Sequence, residues 1–118
     1  MIQGMDTITD CSEVINAINA AGLAFVGRYY ANSGKKVVSA TEALALTAAN
    51  LRTVAIREDG KPTRGSYFSY SKGVDDGTSA YQDGSSIGQP LQAPIYFAVD
   101  YDPNQAEVIG CICGATPI

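Results

Sequence analysis

Four short apolar runs alternate with stretches of helical length, and this alternation limits the possible folds more than any other feature of the chain. Ile2 to Asp6 reads as a short extended segment. Cys11 to Ala21 places Val14, Ile15 and Ile18 on one helical face, with Asp10 and Ser12 as start signals and Gly22 as the stop. LAFVGRYY, Leu23 to Tyr30, is rich in strand-forming residues and runs into the turn-like ANSGKK. Ser39 to Asn50 predicts a second helix, because Ser39 with Glu42 three residues on forms the capping-box pattern that satisfies free backbone donors. Leu51 to Arg57 predicts a third strand and Val74 to Ile87 a third helix. Pro94 to Asp100, in the run PIYFAVDYDP, predicts the fourth strand. From Gln105 the glycine-containing tail can start a fourth helix. The order β-α-β-α-β-α-β is that of parallel strands joined by helices, and a strand as evenly apolar as IYFAV suits a sheet of that kind.

Two shapes accommodate this order. One is an open doubly wound sheet; the other is the N-terminal half of a (β/α)8 TIM-type barrel, with about four β-α units of the eight. A full barrel takes about 250 residues. The 118 residues here amount to one α/β domain over 1–118, partial if the barrel is the parent shape. The segment from Glu58 to Gly73 is long for a connection, and long connections are often functional.

Several function classes fall away on composition. The formal net charge is -4, from 12 acidic and 8 basic residues, and only Lys35-Lys36 places cations side by side, so nucleic acid is not an expected partner. No run approaches the roughly 18 apolar residues of a membrane span, and MIQGMD lacks the basic start and apolar middle of a secretory leader, so the chain is expected to be cytosolic as made or to have lost its leader. GRYYANSGKK has neither the glycine spacing nor the Ser or Thr after lysine of a phosphate loop, and no glycine fingerprint for a dinucleotide opens a helix. Cys11, Cys111 and Cys113 are three in number without framework or zinc spacing, and are expected as free thiols. There is no histidine, which removes the commonest general base and every Ser-His or Cys-His nucleophile. Any acid-base chemistry falls to carboxylates, tyrosines or lysines, with no metal and no cofactor required.

In both candidate shapes ligands gather at the carboxyl ends of the strands. Those ends carry Asp6 after the first strand, Arg28 to Tyr30 on the second, Glu58 and Asp59 at the third, and Asp100 with Asp102 at the fourth. Residues i and i+2 of a strand share a face about 6.6 Å apart, so Asp100 and Asp102 could aim at one substrate. Two carboxyls flanking a glycosidic bond suffice to hydrolyse it, one protonating the leaving oxygen and the other acting as nucleophile or base, at separations of roughly 5 to 9.5 Å. The alternative is that Asp100 caps a helix and Asp102-Pro103 makes a turn. Tyr67, Phe68, Tyr70 and Tyr81 could stack on sugar rings or simply pack.

IYFAVDYD, together with GMD, FVGRYY and the SATEALAL helix, resembles the glycoside hydrolase-like family known as domain of unknown function 1906, a relative of the family 25 lysozymes. The resemblance runs from Gly4 to about Gly114. It implies the first half of a TIM-type barrel and action on the glycan of bacterial cell-wall peptidoglycan. Residue by residue it implies Asp100, Asp102 and Asp6 as catalytic carboxylates. Arg28, Tyr30, Glu58 and Tyr96 are the expected substrate contacts. Asp102 occupies the position where the lysozymes carry a glutamate proton donor. The family domain is longer than this chain, so a truncated or self-associating half-barrel is expected, with the exposed sheet edge as the contact. Carbohydrate binding without turnover is the second expectation.

Overall fold

The computed structural model describes residues 1–108. Cys111 and Cys113 lie outside the described residues. The elements follow the predicted order: β1 (Gly4–Asp6), α1 (Ile15–Ala20), β2 (Phe25–Tyr30), α2 (Ala40–Ala48), β3 (Arg52–Arg57), α3 (Tyr70–Ile87), β4 (Ile95–Phe97) and a single turn α4 (Gln105–Glu107). The strands form one parallel sheet in the order β1-β2-β3-β4. Strand order therefore equals chain order, without the reversal that defines a doubly wound sheet.

Register shows which side the helices cover. Residues paired across parallel strands share a face, so Arg28, Ala55 and Ile95 lie abreast, with Val26 and Tyr30 on the same side of β2. Val26 packs with Ile18 of α1 and Leu46 of α2, and Ala55 and Tyr30 pack with Ala43 of α2, Ile87 of α3 and Ile95. Residues of α1, α2 and α3 thus all contribute to the core on this one face. The opposite face, carrying Asp6, Gly27, Tyr29, Ile56 and Tyr96, has no helix over it among the described residues.

Several boundaries depart from the sequence reading for visible reasons. α1 begins at Ile15 because Asp10 Oδ1 takes both the backbone N-H and the hydroxyl of Ser12, at 2.8 and 2.6 Å, holding Asp10–Ser12 as a turn. Ser39 caps α2 as expected, its hydroxyl accepting from the Glu42 N-H at 3.1 Å. The reciprocal half of the capping box is not made, since the Glu42 carboxylate turns inward to Arg28. α3 starts at Tyr70, four residues earlier than predicted, with Ser69 as its N-cap. The fourth strand stops at Phe97, which pairs with Arg57, the last residue of β3. Beyond that point the Ala98 N-H still reaches the Arg57 carbonyl, and the Asp100 N-H goes to Pro62 instead of a ladder.

Candidate functional site

The carboxyl edge of the sheet brings Asp6 and Tyr29 together on the helix-free face. Asp6 pairs with Gly27, and Tyr29 lies two residues further along β2, so its phenol reaches back and donates to Asp6 Oδ2 at 2.7 Å. Gly27 makes this possible. A Cβ there would lie 2.9 Å from the Asp6 Cβ and 3.1 Å from Ile56 Cδ1, displacing the side chain that Tyr29 holds. The hydrogen bond to Asp6, aided by burial, raises the Tyr29 pKa to about 12, because ionising the phenol would break the bond and set two negative charges side by side. The Lys36 ammonium lies 5.5 Å from the centre of the Tyr29 ring and pairs with Glu58 at 2.8 Å. Glu58 is therefore a half-buried partner of Lys36 at the rim.

Arg28 and Tyr30, expected as substrate contacts, face the other way. Tyr30 is buried in the helix-side core, and its hydroxyl donates to Gln89 Oε1 at 2.7 Å. Burial pushes its pKa to about 12. Arg28 is fully buried and its guanidinium is engaged by the protein: Nε and Nη2 donate to the two oxygens of Glu42 at 2.6 and 3.0 Å, and Nη1 donates to the carbonyls of Thr7 and Lys36 at 2.7 and 3.0 Å. Glu42 also accepts from the Cys11 N-H at 3.0 Å. Neither Arg28 nor Tyr30 presents a group to the open face. Tyr29, which sequence reasoning passed over in favour of its neighbour, does. Cys11 is buried beside this pair as a free thiol, and burial raises its pKa.

Asp100 and Asp102 lie past the end of β4, both exposed. Their spacing is consequently set by an irregular segment and not by the strand repeat. That segment is held from outside: the Asp100 N-H donates to the Pro62 carbonyl at 2.8 Å, and the rings of Phe68 and Tyr101 stack with centroids 6.3 Å apart. The long β3–α3 connection, residues 58–69, thus buttresses the residues that follow β4. Tyr67 and Phe68 serve packing within it, their rings edge to face at 5.1 Å, whereas Tyr70 and Tyr81 stand exposed on α3. Tyr96, abreast of Ile56 and Tyr29 on the helix-free face, is 58% exposed.

A second polar cluster lies on the helix side of the same edge. Arg57, nearly fully buried, bonds Asn32 at 3.0 Å and pairs with Asp76 at 3.5 Å, Asp83 at 3.3 Å and Asp59 at 3.7 Å. Tyr67 and Lys72 complete it through Asp76, at 2.9 and 3.0 Å. Burial raises the Asp83 pKa. No sequence pattern announces this cluster, because its members come from the loop after β2, from β3, the connection after it and α3.

Comparison with known proteins bears on what this edge belongs to. The sequence profile of the Rv2525c-like, glycoside hydrolase-like domain matches residues 16–114. The chain belongs to this family. Among solved structures it is similar to the Mycobacterium tuberculosis Tat-secreted protein Rv2525c in two crystal forms. For the monoclinic form with HEPES the TM-score is 0.75 at 23% identity, covering 93% of this chain and 58% of that one. For the orthorhombic form with L-tartrate it is 0.76 at 22% identity, covering 93% and 57%. This likeness establishes the fold, and the chain spans less than two thirds of the length of those solved chains. No curated protein matches it.

Proposed function

We propose that this member of the glycoside hydrolase-like family is the first half of a β/α barrel whose open edge binds glycan, with Asp100, Asp102 and Asp6 hydrolysing glycosidic bonds of bacterial cell-wall peptidoglycan. The observation that carries this reading is positional: a sheet with α1, α2 and α3 on one face presents the exposed carboxylates of Asp6, Asp100 and Asp102 at its carboxyl edge. In this reading one member of the Asp100/Asp102 pair protonates the leaving oxygen, and the other attacks the sugar or activates water. Asp6, oriented by Tyr29, binds a substrate hydroxyl or the water. Tyr96 offers a ring face to a sugar on the same side. The acid and base roles require one protonated and one ionised carboxyl, so the rate should follow a bell-shaped, acidic pH profile.

A second reading, glycan binding without turnover, is favoured by one specific feature. A proton donor to a glycosidic oxygen is normally set in an apolar or like-charged pocket, and Asp100 and Asp102 both stand exposed, with no hydrogen bond to either carboxylate among the described residues. The experiment is mass spectrometry of soluble fragments released from purified peptidoglycan by the chain and by Asp100→Asn, alongside co-sedimentation of both with the insoluble polymer. Release by the parent alone, with co-sedimentation of both, supports hydrolysis. Co-sedimentation of both without release supports the binding reading, and absence of both activities removes glycan as the ligand.

A further inference from the structure

We infer that the buried Arg28–Glu42 pair positions the Asp6 carboxylate, acting through the two loops that flank it. The inference rests on the reading of Asp6 as a site residue. A buried ion pair is a weak source of stability, since a well-packed apolar pair of similar volume commonly serves as well or better. What sets this pair apart is the set of backbone groups it holds. Arg28 Nη1 binds the carbonyl of Thr7, the residue after Asp6, and the carbonyl of Lys36, whose side chain lies over the Tyr29 ring. Glu42 binds the N-H of Cys11, midway along the same β1–α1 loop. One guanidinium and one carboxylate therefore fix the chain leaving Asp6, the loop covering Tyr29 and, through Tyr29, the direction of Asp6 Oδ2. A planar fork with its donors in fixed directions is suited to this. A lysine ammonium at the same place could not serve Glu42 in two-point fashion and both carbonyls as well.

The test separates positioning from folding. Replacing both partners by apolar side chains, Arg28→Met with Glu42→Met, leaves no buried charge and should preserve a cooperative fold by circular dichroism, while releasing Thr7, Lys36 and Cys11. The readout is the Cζ resonance of Tyr29 in tyrosine-labelled protein, assigned by its loss in Tyr29→Phe and calibrated by its shift in Asp6→Asn. The expected result is a folded double variant whose Tyr29 signal moves to the Asp6→Asn position. A Tyr29 signal that stays at its parent position in the double variant while Asp6→Asn displaces it would overturn the inference. Should the double variant not fold, Arg28→Lys carries the same comparison with the same two outcomes. No glycan is needed for this readout. Failure of the reading of Asp6 as a site residue, seen as unchanged peptidoglycan binding and release in Asp6→Asn, is thus recorded separately.

Discussion

Tyr29 and Tyr30 are adjacent in the chain, and the pleat sends one phenol to Asp6 and the other into the core beneath α2 and α3. The sequence could not tell them apart, because every residue of β2 after Phe25 is buried and the usual in-out alternation is erased. Both phenols titrate at about 12 against an ordinary value of 10.0, which makes alkaline stability a probe of each. A tyrosine whose folded pKa lies above its unfolded one stabilises fully below about pH 10 and loses that contribution as pH rises toward 12, since the unfolded chain ionises first. Tyr30→Phe should therefore cost about 1 kcal/mol at neutral pH, for the lost hydrogen bond to Gln89, and the gap to the parent should close above pH 10 in urea titrations. The Arg28–Glu42 pair was equally hidden, because its partners sit on different elements and Glu42 looked committed to a helix cap. Glu42→Ala should destabilise by about 3–5 kcal/mol, measured by urea unfolding, as it strands a buried guanidinium. Domains of this kind hold only about 5–15 kcal/mol in all, so a variant partly unfolded at 37 °C is within range.

At the scale of elements, helix boundaries followed caps and strand boundaries followed neighbours. Caps are local and hence legible: Ser39 caps α2 as its spacing to Glu42 predicts, and Ser69 starts α3 by the same device, its hydroxyl accepting from the Lys72 N-H at 3.1 Å. The latter is not legible because the SYFSYSKG segment has the composition of a loop, and glycines inside α3 lower its intrinsic propensity. A helix with such an interior depends on its ends. Ser69→Ala should cost about 1 kcal/mol in urea unfolding, with the helical signal of circular dichroism falling along with the global transition and not before it. Strand ends carry no such local mark. IYFAVD is apolar enough to be a strand throughout, yet β4 has one neighbour among the described strands, and its ladder ends where β3 ends at Arg57. The consequence reaches the site, because Asp100 and Asp102 take their geometry from Pro62 and Phe68 on the β3–α3 connection instead of from the pleat.

For the whole molecule, parallel strands joined by helices were legible from hydrophobic period alone, while the choice between helices on one face and on two was not. That choice depends on strand order, which is a long-range pairing. Among the described residues, the order β1-β2-β3-β4 with α1, α2 and α3 on one side leaves the other face uncovered and leaves β1 and β4 each with one strand neighbour. Tyr96 and Phe97 on β4 are 58% and 42% exposed, a flat apolar edge of the kind that recruits another strand. Exposed by itself in solution, the chain should associate through this edge. Sedimentation velocity over a range of concentrations should show a shift from monomer to larger species as concentration rises, and Tyr96→Lys should suppress it, since an inward-pointing charge on an edge strand opposes pairing. Tyr96 is 58% exposed and belongs to neither core cluster, so the substitution should leave urea stability of the monomer within about 0.5 kcal/mol of the parent. A parent chain that sediments as one compact species at every concentration would instead mean that the bare edge is blunted by its short length of three residues. The open face would then be free for ligand in the monomer.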